Sequence, residues 1–173
     1  MSLANGIGRP GFTLVEMLLV VIVLIIAAAI VLPNLGSAAD AQAMSAARVL
    51  AADLEVARSH ALKTQRPTTL LFRDDLGAYK VVADYGGGSY ASAEAIDHPV
   101  IANRAFEVEL AARNGMQAVE VQSAAFGGET YVTFNELGEP SSAGTIVVEA
   151  GDIRMQVDVA GLTGSVSTRR IED

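Results

Sequence analysis

Cysteine and tryptophan are absent from the 173 residues, aromatics make up 5% and charged residues 18%. Without cysteine the chain can form neither a disulfide scaffold nor a cysteine-ligated metal site. So small a charged fraction beside 51% hydrophobic residues excludes a disordered polyelectrolyte. Positive charge is scarce as well: 12 Lys and Arg face 20 Asp and Glu, for a net charge of −8. That balance argues against nucleic acid as the main partner unless a local basic patch overrides it. Histidine occurs only at His60 and His98, and no nucleophile elbow or zinc helix motif surrounds either. The glycine triplet 86–88 lacks the lysine and helix a phosphate loop needs and reads as a flexible loop. The expectation is a protein with no catalytic residues, no cofactor and no metal.

With aromatics so few, the hydrophobic excess rests on Ala, Val, Leu and Ile, and it is concentrated. Between residues 12 and 32, 19 of 21 residues are apolar and the only charge is Glu16. Such a run makes a helix of roughly 32 Å, matching the ~30 Å hydrocarbon core of a bilayer. A cleaved secretory signal has a shorter apolar region, ~7–15 residues. The remainder has the composition of one ordinary soluble domain. Arg9 is the only charge ahead of the run, which directs residues 1–11 to the cytoplasm and the bulk of the chain outside, in a bacterium the periplasm.

Glu16 is the anomaly. A carboxylate inside an apolar helix costs a few kcal/mol unless it lies at headgroup level, is protonated or is paired. The neighbourhood reads Arg9-Pro10-Gly11-Phe12-Thr13-Leu14-Val15-Glu16, followed by apolar residues up to Pro33. This resembles the leader of type IV pilins and type II secretion pseudopilins. The resemblance implies cleavage by prepilin peptidase between Gly11 and Phe12, N-methylation of Phe12, and Glu16 as the acidic fifth mature residue used in assembly. Physical chemistry agrees with that role: the new α-amine of one subunit can neutralise Glu16 of another where an unpaired carboxylate is costly. The partners implied are prepilin peptidase, other pseudopilins or pilins, an inner-membrane assembly platform and the lipid bilayer.

Pro33 removes a helical hydrogen bond and disfavours helix at Leu32, predicting a kink or local melting across 32–36, with Ser37 as the next N-cap. Residues 38–62 are alanine-rich. Met44, Ala47, Leu50, Leu54, Ala57 and Ala61 make one apolar stripe, with Arg48, Asp53, Glu55 and Arg58 off it. Beyond Pro67, strands are predicted at 68–73, 78–84, 106–110, 118–122, 130–134, 145–149, 153–159 and 165–168, with a surface loop at 85–103. The expected fold class is α+β: a long bent N-terminal helix packed on antiparallel β-sheets, as in a pilin. The expected organisation is a leader at 1–11, a membrane and assembly helix at 12–33, an amphipathic helix at 34–66 and a β-rich head at 67–173.

Within the head, Ala57-Arg58-Ser59-His60-Ala61, Gln65-Arg66-Pro67, Gly138-Glu139-Pro140 and Thr163-Gly164-Ser165-Val166 are similar to the GspH/FimT group of minor pilins. That similarity implies a minor pseudopilin of type II secretion (H-type), or a FimT-like minor type IV pilin acting in pilus assembly or DNA uptake. Arg169 and Arg170 are the candidate DNA-binding doublet. Glu172 and Asp173 follow almost at once and dilute it, so a solvated tail is the simpler reading and nucleic acid is not favoured. Asp74 and Asp75 read as an aspartate turn, two carboxylates being too few for a calcium shell. His60 reads as solvated or capping and His98 as a loop residue. A membrane-anchored enzyme is the least supported class.

Overall fold

The computed structural model describes residues 13–31 and 33–171. The chain divides into two compact units, Met1–Gly36 and Ser37–Asp173.

In the first unit, helix α1 runs over Leu14–Val31. Its large side chains from Leu14 to Ile26 are all exposed, by 46–82%. The helix is therefore apolar on every side and has no face turned to a core of its own. Among the described residues no helix is long and apolar enough to cross a membrane. The 18 described residues of α1 span about 27 Å.

Helix α2 spans Pro33–Thr64. The predicted melting does not occur at 33–36, and Ser37 is no N-cap, because these residues are helical. Leu32 lies outside the described residues. The buried stripe of α2 is Ala43, Ala46, Ala47, Leu50, Leu54, Ala57 and Ala61. Met44 is exposed and Ala43 takes its place: position 43 keeps the three- and four-residue steps to 46, 47 and 50, whereas 44 lies about 100° further round the helix. The helix stops at Thr64, ahead of Pro67. Gln65 follows in the left-handed region (φ 54°), its side-chain amide donating to the carbonyls of Leu62 and Glu136.

Eight strands follow among the described residues: β1 Thr68–Phe72, β2 Tyr79–Ala83, β3 Glu107–Val108, β4 Glu120–Phe126, β5 Tyr131–Phe134, β6 Gly144–Ala150, β7 Ile153–Val159 and β8 Val166–Ile171. They form two four-stranded antiparallel sheets, ordered β3-β2-β1-β5 and β4-β6-β7-β8. Eight strands were predicted, but three differ clearly in extent: β3 keeps two of the five residues expected at 106–110. β4 continues to Phe126 through a register shift between Val121 and Ser123, which breaks the alternation a sequence reading depends on. β8 continues to Ile171 because its ladder with β7 pairs Arg154 with Ile171.

One core joins α2 to both sheets. Leu70, Phe72, Tyr79, Val81, Val132 and Phe134 come from the first sheet, and Phe126, Ile146, Val148, Met155, Val157 and Val159 from the second. The small alanines of α2 allow the sheets to approach its backbone closely, while Leu50 and Leu54 fill the middle. The predicted loop 85–103 is irregular but strapped to the first sheet. Lys80 Nζ donates to the Ala93 carbonyl (3.0 Å) and sits 4.2 Å over the Tyr90 ring; the Tyr90 hydroxyl donates to Glu107 (2.7 Å). The Ile96 amide donates to the Val81 carbonyl.

Candidate assembly site

The site suggested by the sequence begins with a backbone detail. Thr13 precedes α1 and its Oγ1 accepts from the Glu16 amide (3.2 Å), while its carbonyl accepts from the Met17 amide. Thr13 is thus the N-cap and Glu16 the third helical residue, the Thr-x-x-Glu spacing of a capping box. A carboxylate there also faces the positive end of the helix dipole, worth about 0.3–1 kcal/mol. Glu16 is exposed, and no cation pairs with it among the described residues. It is the one charge on a helix that is otherwise apolar all round. Gly11 and Phe12, the predicted cleavage and methylation positions, lie outside the described residues. Pro33 opens α2, as described above.

In the second unit, polar residues of α2 reach loops of the head. Arg58 Nε donates to the Gly138 carbonyl (3.2 Å), and Glu55 Oε1 accepts from the Val166 amide (3.2 Å). The turns at 135–139 and 160–165 meet here: a Cβ on Gly164 would stand 2.6 Å from the Gly138 carbonyl oxygen, and Gly164 has φ +65°. Residues 46–163 match the family described as Type II transport protein GspH. The chain belongs to the GspH family.

The fold of this GspH-family member is similar to that of the minor pseudopilin EpsH from the type 2 secretion system of Vibrio cholerae. Two structures of that protein give TM-scores of 0.52 and 0.55 at 10% identity, covering 75% and 76% of this chain and 96% of the other. It is also similar to the type IV minor pilin FimU of Pseudomonas aeruginosa (TM-score 0.53, 15% identity, 78% of this chain and 96% of that one). No curated protein matches the sequence. The family match makes the protein a type II transport protein of the GspH kind, and the structural likenesses show an α+β pilin-type fold.

Arg169 and Arg170 of the GspH-family chain are not a loose tail. Both lie on edge strand β8, paired with Gln156 and Met155. Neighbouring strand residues point to opposite faces, so the doublet is divided. Arg169 also forms an ion pair with Asp158 (3.3 Å). His60 is half-buried rather than freely solvated, with Nδ1 3.0 Å from Thr68 Oγ1. Burial lowers its pKa, helped by Arg66 and Lys63. His98 is a loop residue that orders its own turn. Its Nδ1 accepts from the amides of Val100 and Ile101 (both 3.2 Å), and its ring packs on Phe106. Asp75 closes its turn by accepting from the Gly77 amide and pairing with Arg73, both at 2.8 Å. Among the described residues no group of three or more acidic or histidine side chains could hold a metal ion.

Two features escaped the sequence. Asp53, placed on the solvated side of the stripe, accepts a 2.5 Å hydrogen bond from the buried Tyr79 hydroxyl. Burial raises the Asp53 pKa, opposed by that bond and by Arg113 and His98; burial also pushes Tyr79 well above its ordinary value. Only the position of Asp53, three residues after Leu50, hinted that it faces the head. The second feature is a set of arginines, Arg73, Arg104 and Arg113, that come from separate stretches of sequence and line one pocket.

Proposed function

We propose that the protein is the H-type minor subunit of a periplasmic pseudopilus. Prepilin peptidase cuts it between Gly11 and Phe12 and methylates Phe12. Residues 12–33 then hold it as a single-pass anchor in the bacterial inner membrane with the head in the periplasm. The assembly platform draws it from the bilayer into the filament, where Glu16 meets the α-amine of a neighbouring pseudopilin. One observation carries this reading: α1 exposes apolar side chains on every side and a single carboxylate in its first turn. A helix of that kind is stable only in an apolar surrounding, lipid or other helices, and an unpaired carboxylate there is costly.

Mass spectrometry of the protein from cells tests the processing; the expected mature chain starts at a methylated Phe12. An intact Met1, or a cut beyond the apolar run, would overturn it. Glu16→Ala is expected to be processed normally but to stay out of filaments.

The likeness to FimU supports a second reading, a FimT-like minor type IV pilin. DNA binding by the head is disfavoured in either case, because Asp158 neutralises Arg169 and Arg170 belongs to the other face of β8. A gel-shift assay with the full chain in detergent is expected to show no tight, salt-sensitive DNA complex.

A further inference from the structure

In a chain with net charge −8, one pocket of the head brings three arginines together. It has a volume of about 590 Å³ and is lined by Arg73, Arg104, Arg113 and His98 together with Glu107 and Glu109. Three of these six charges or potential charges are already engaged. Arg73 is held by Asp75 (2.8 Å), and Glu109 adds to the field that favours its cation. Glu107 accepts from the Tyr90 hydroxyl, and His98 is turned to the amides of its own loop. Arg104 and Arg113 form no ion pair among the described residues. Arg113 is half-buried and helps the carboxylate of Asp53 ionise, while Arg104 is exposed at the mouth. The pocket lies against β3, the short edge strand of the first sheet.

We infer that this pocket binds an acidic segment of a protein partner, with Arg104 and Arg113 gripping its carboxylates. Three points select that ligand. A guanidinium fork matches a planar carboxylate with two parallel hydrogen bonds. The lining carries Glu107 and Glu109, which repel a compact dianion such as phosphate more than a carboxylate reaching in from one side. Small-molecule sites are mostly apolar, whereas most of this lining is polar or charged. The inference concerns the head alone and stands whether or not α1 acts as proposed.

The test uses the purified full chain in detergent micelles and a fluorescein-labelled tetraglutamate peptide with blocked ends, read by anisotropy. Binding is expected to saturate and to weaken as salt rises. Arg104→Ala, at an exposed side chain that no fold contact requires, is expected to weaken it about tenfold, the loss of roughly one charge-assisted hydrogen bond. Arg104→Lys should fall between the two, Glu109→Gln should tighten binding, and Arg169→Ala should leave it unchanged. Arg113→Ala should weaken binding at least as much, with circular dichroism checking that the fold survives. Several results overturn the proposal: no saturable binding, equal binding of a tetralysine peptide, displacement by inorganic phosphate at lower concentration than by unlabelled peptide, or Arg104→Ala binding as well as the parent.

Discussion

Helices α1 and α2 follow one another in sequence and solve opposite problems. α2 has one apolar stripe, built from alanines and two leucines, and buries it completely in the head. α1 has no stripe because nearly every residue is apolar, and none of its described side chains is buried. A helix with a face folds against its own chain, whereas one without a face requires a surrounding medium. The difference assigns stability to α2 and leaves α1 to the assembly role proposed for it. It also explains why the one charge that α1 carries, Glu16, sits in its first turn, where the helix end partly compensates it.

The widest test of that division compares two leucines. Leu54→Ala empties a fully buried site and is expected to cost the head about 2–5 kcal/mol. Leu19→Ala removes the same atoms from an exposed position on α1 and is expected to leave head unfolding unchanged. Thermal melts of the full chain in micelles, followed by circular dichroism, measure both. A similar drop for Leu19→Ala would mean that α1 belongs to the cooperative unit of the head.

Much of this was legible in the sequence, for reasons that differ by region. The apolar run and Glu16 stand out because their composition is extreme. Strands such as β7 were readable because Ile153, Met155, Val157 and Val159 alternate with polar neighbours. Legibility failed where geometry departs from a simple period. The bulge in β4 broke its alternation, and the pairing of Arg154 with Ile171 drew a predicted tail into a sheet. Pro33 predicts a kink or melting across 32–36, and of that stretch residues 33–36 are helical. The arginine pocket was invisible because Arg73, Arg104 and Arg113 are separated in sequence and meet only through the packing of loops on the first sheet.

A smaller effect is expected where the head closes on itself. Gly164 has φ +65°, and a Cβ would press on the Gly138 carbonyl and the Arg58 side chain. Gly164→Ala is therefore expected to cost about 1–3 kcal/mol in the same melts, separating the two turns that α2 holds together. On the α1 side, Thr13→Ala removes the N-cap and should cost about 1 kcal/mol of local helix stability. Glu16→Gln sharpens that result, because glutamine can still complete a capping box. Normal entry of Glu16→Gln into filaments would reduce Glu16 to a cap; failure matching that of Glu16→Ala would tie assembly to its charge.

The smallest effect concerns Asp53, a half-buried carboxylate that α2 turns toward Tyr79 of the head. Burial raises the Asp53 pKa above the ordinary 3.8, so the folded chain holds this proton more tightly than the unfolded chain does. The stability that the protonated form contributes is present below the ordinary carboxylate range and is lost as pH rises through the folded value. Asparagine cannot ionise, yet its side-chain oxygen can still accept from the Tyr79 hydroxyl. Asp53→Asn is therefore expected to melt like the parent near pH 3 and at a higher temperature near pH 7. A lower melting temperature for Asp53→Asn at neutral pH would show instead that attraction to Arg113 outweighs the desolvation of the carboxylate. The same pocket arginine would then stabilise α2 against the head as well as line the pocket, and Arg113→Ala would weaken both the fold and peptide binding.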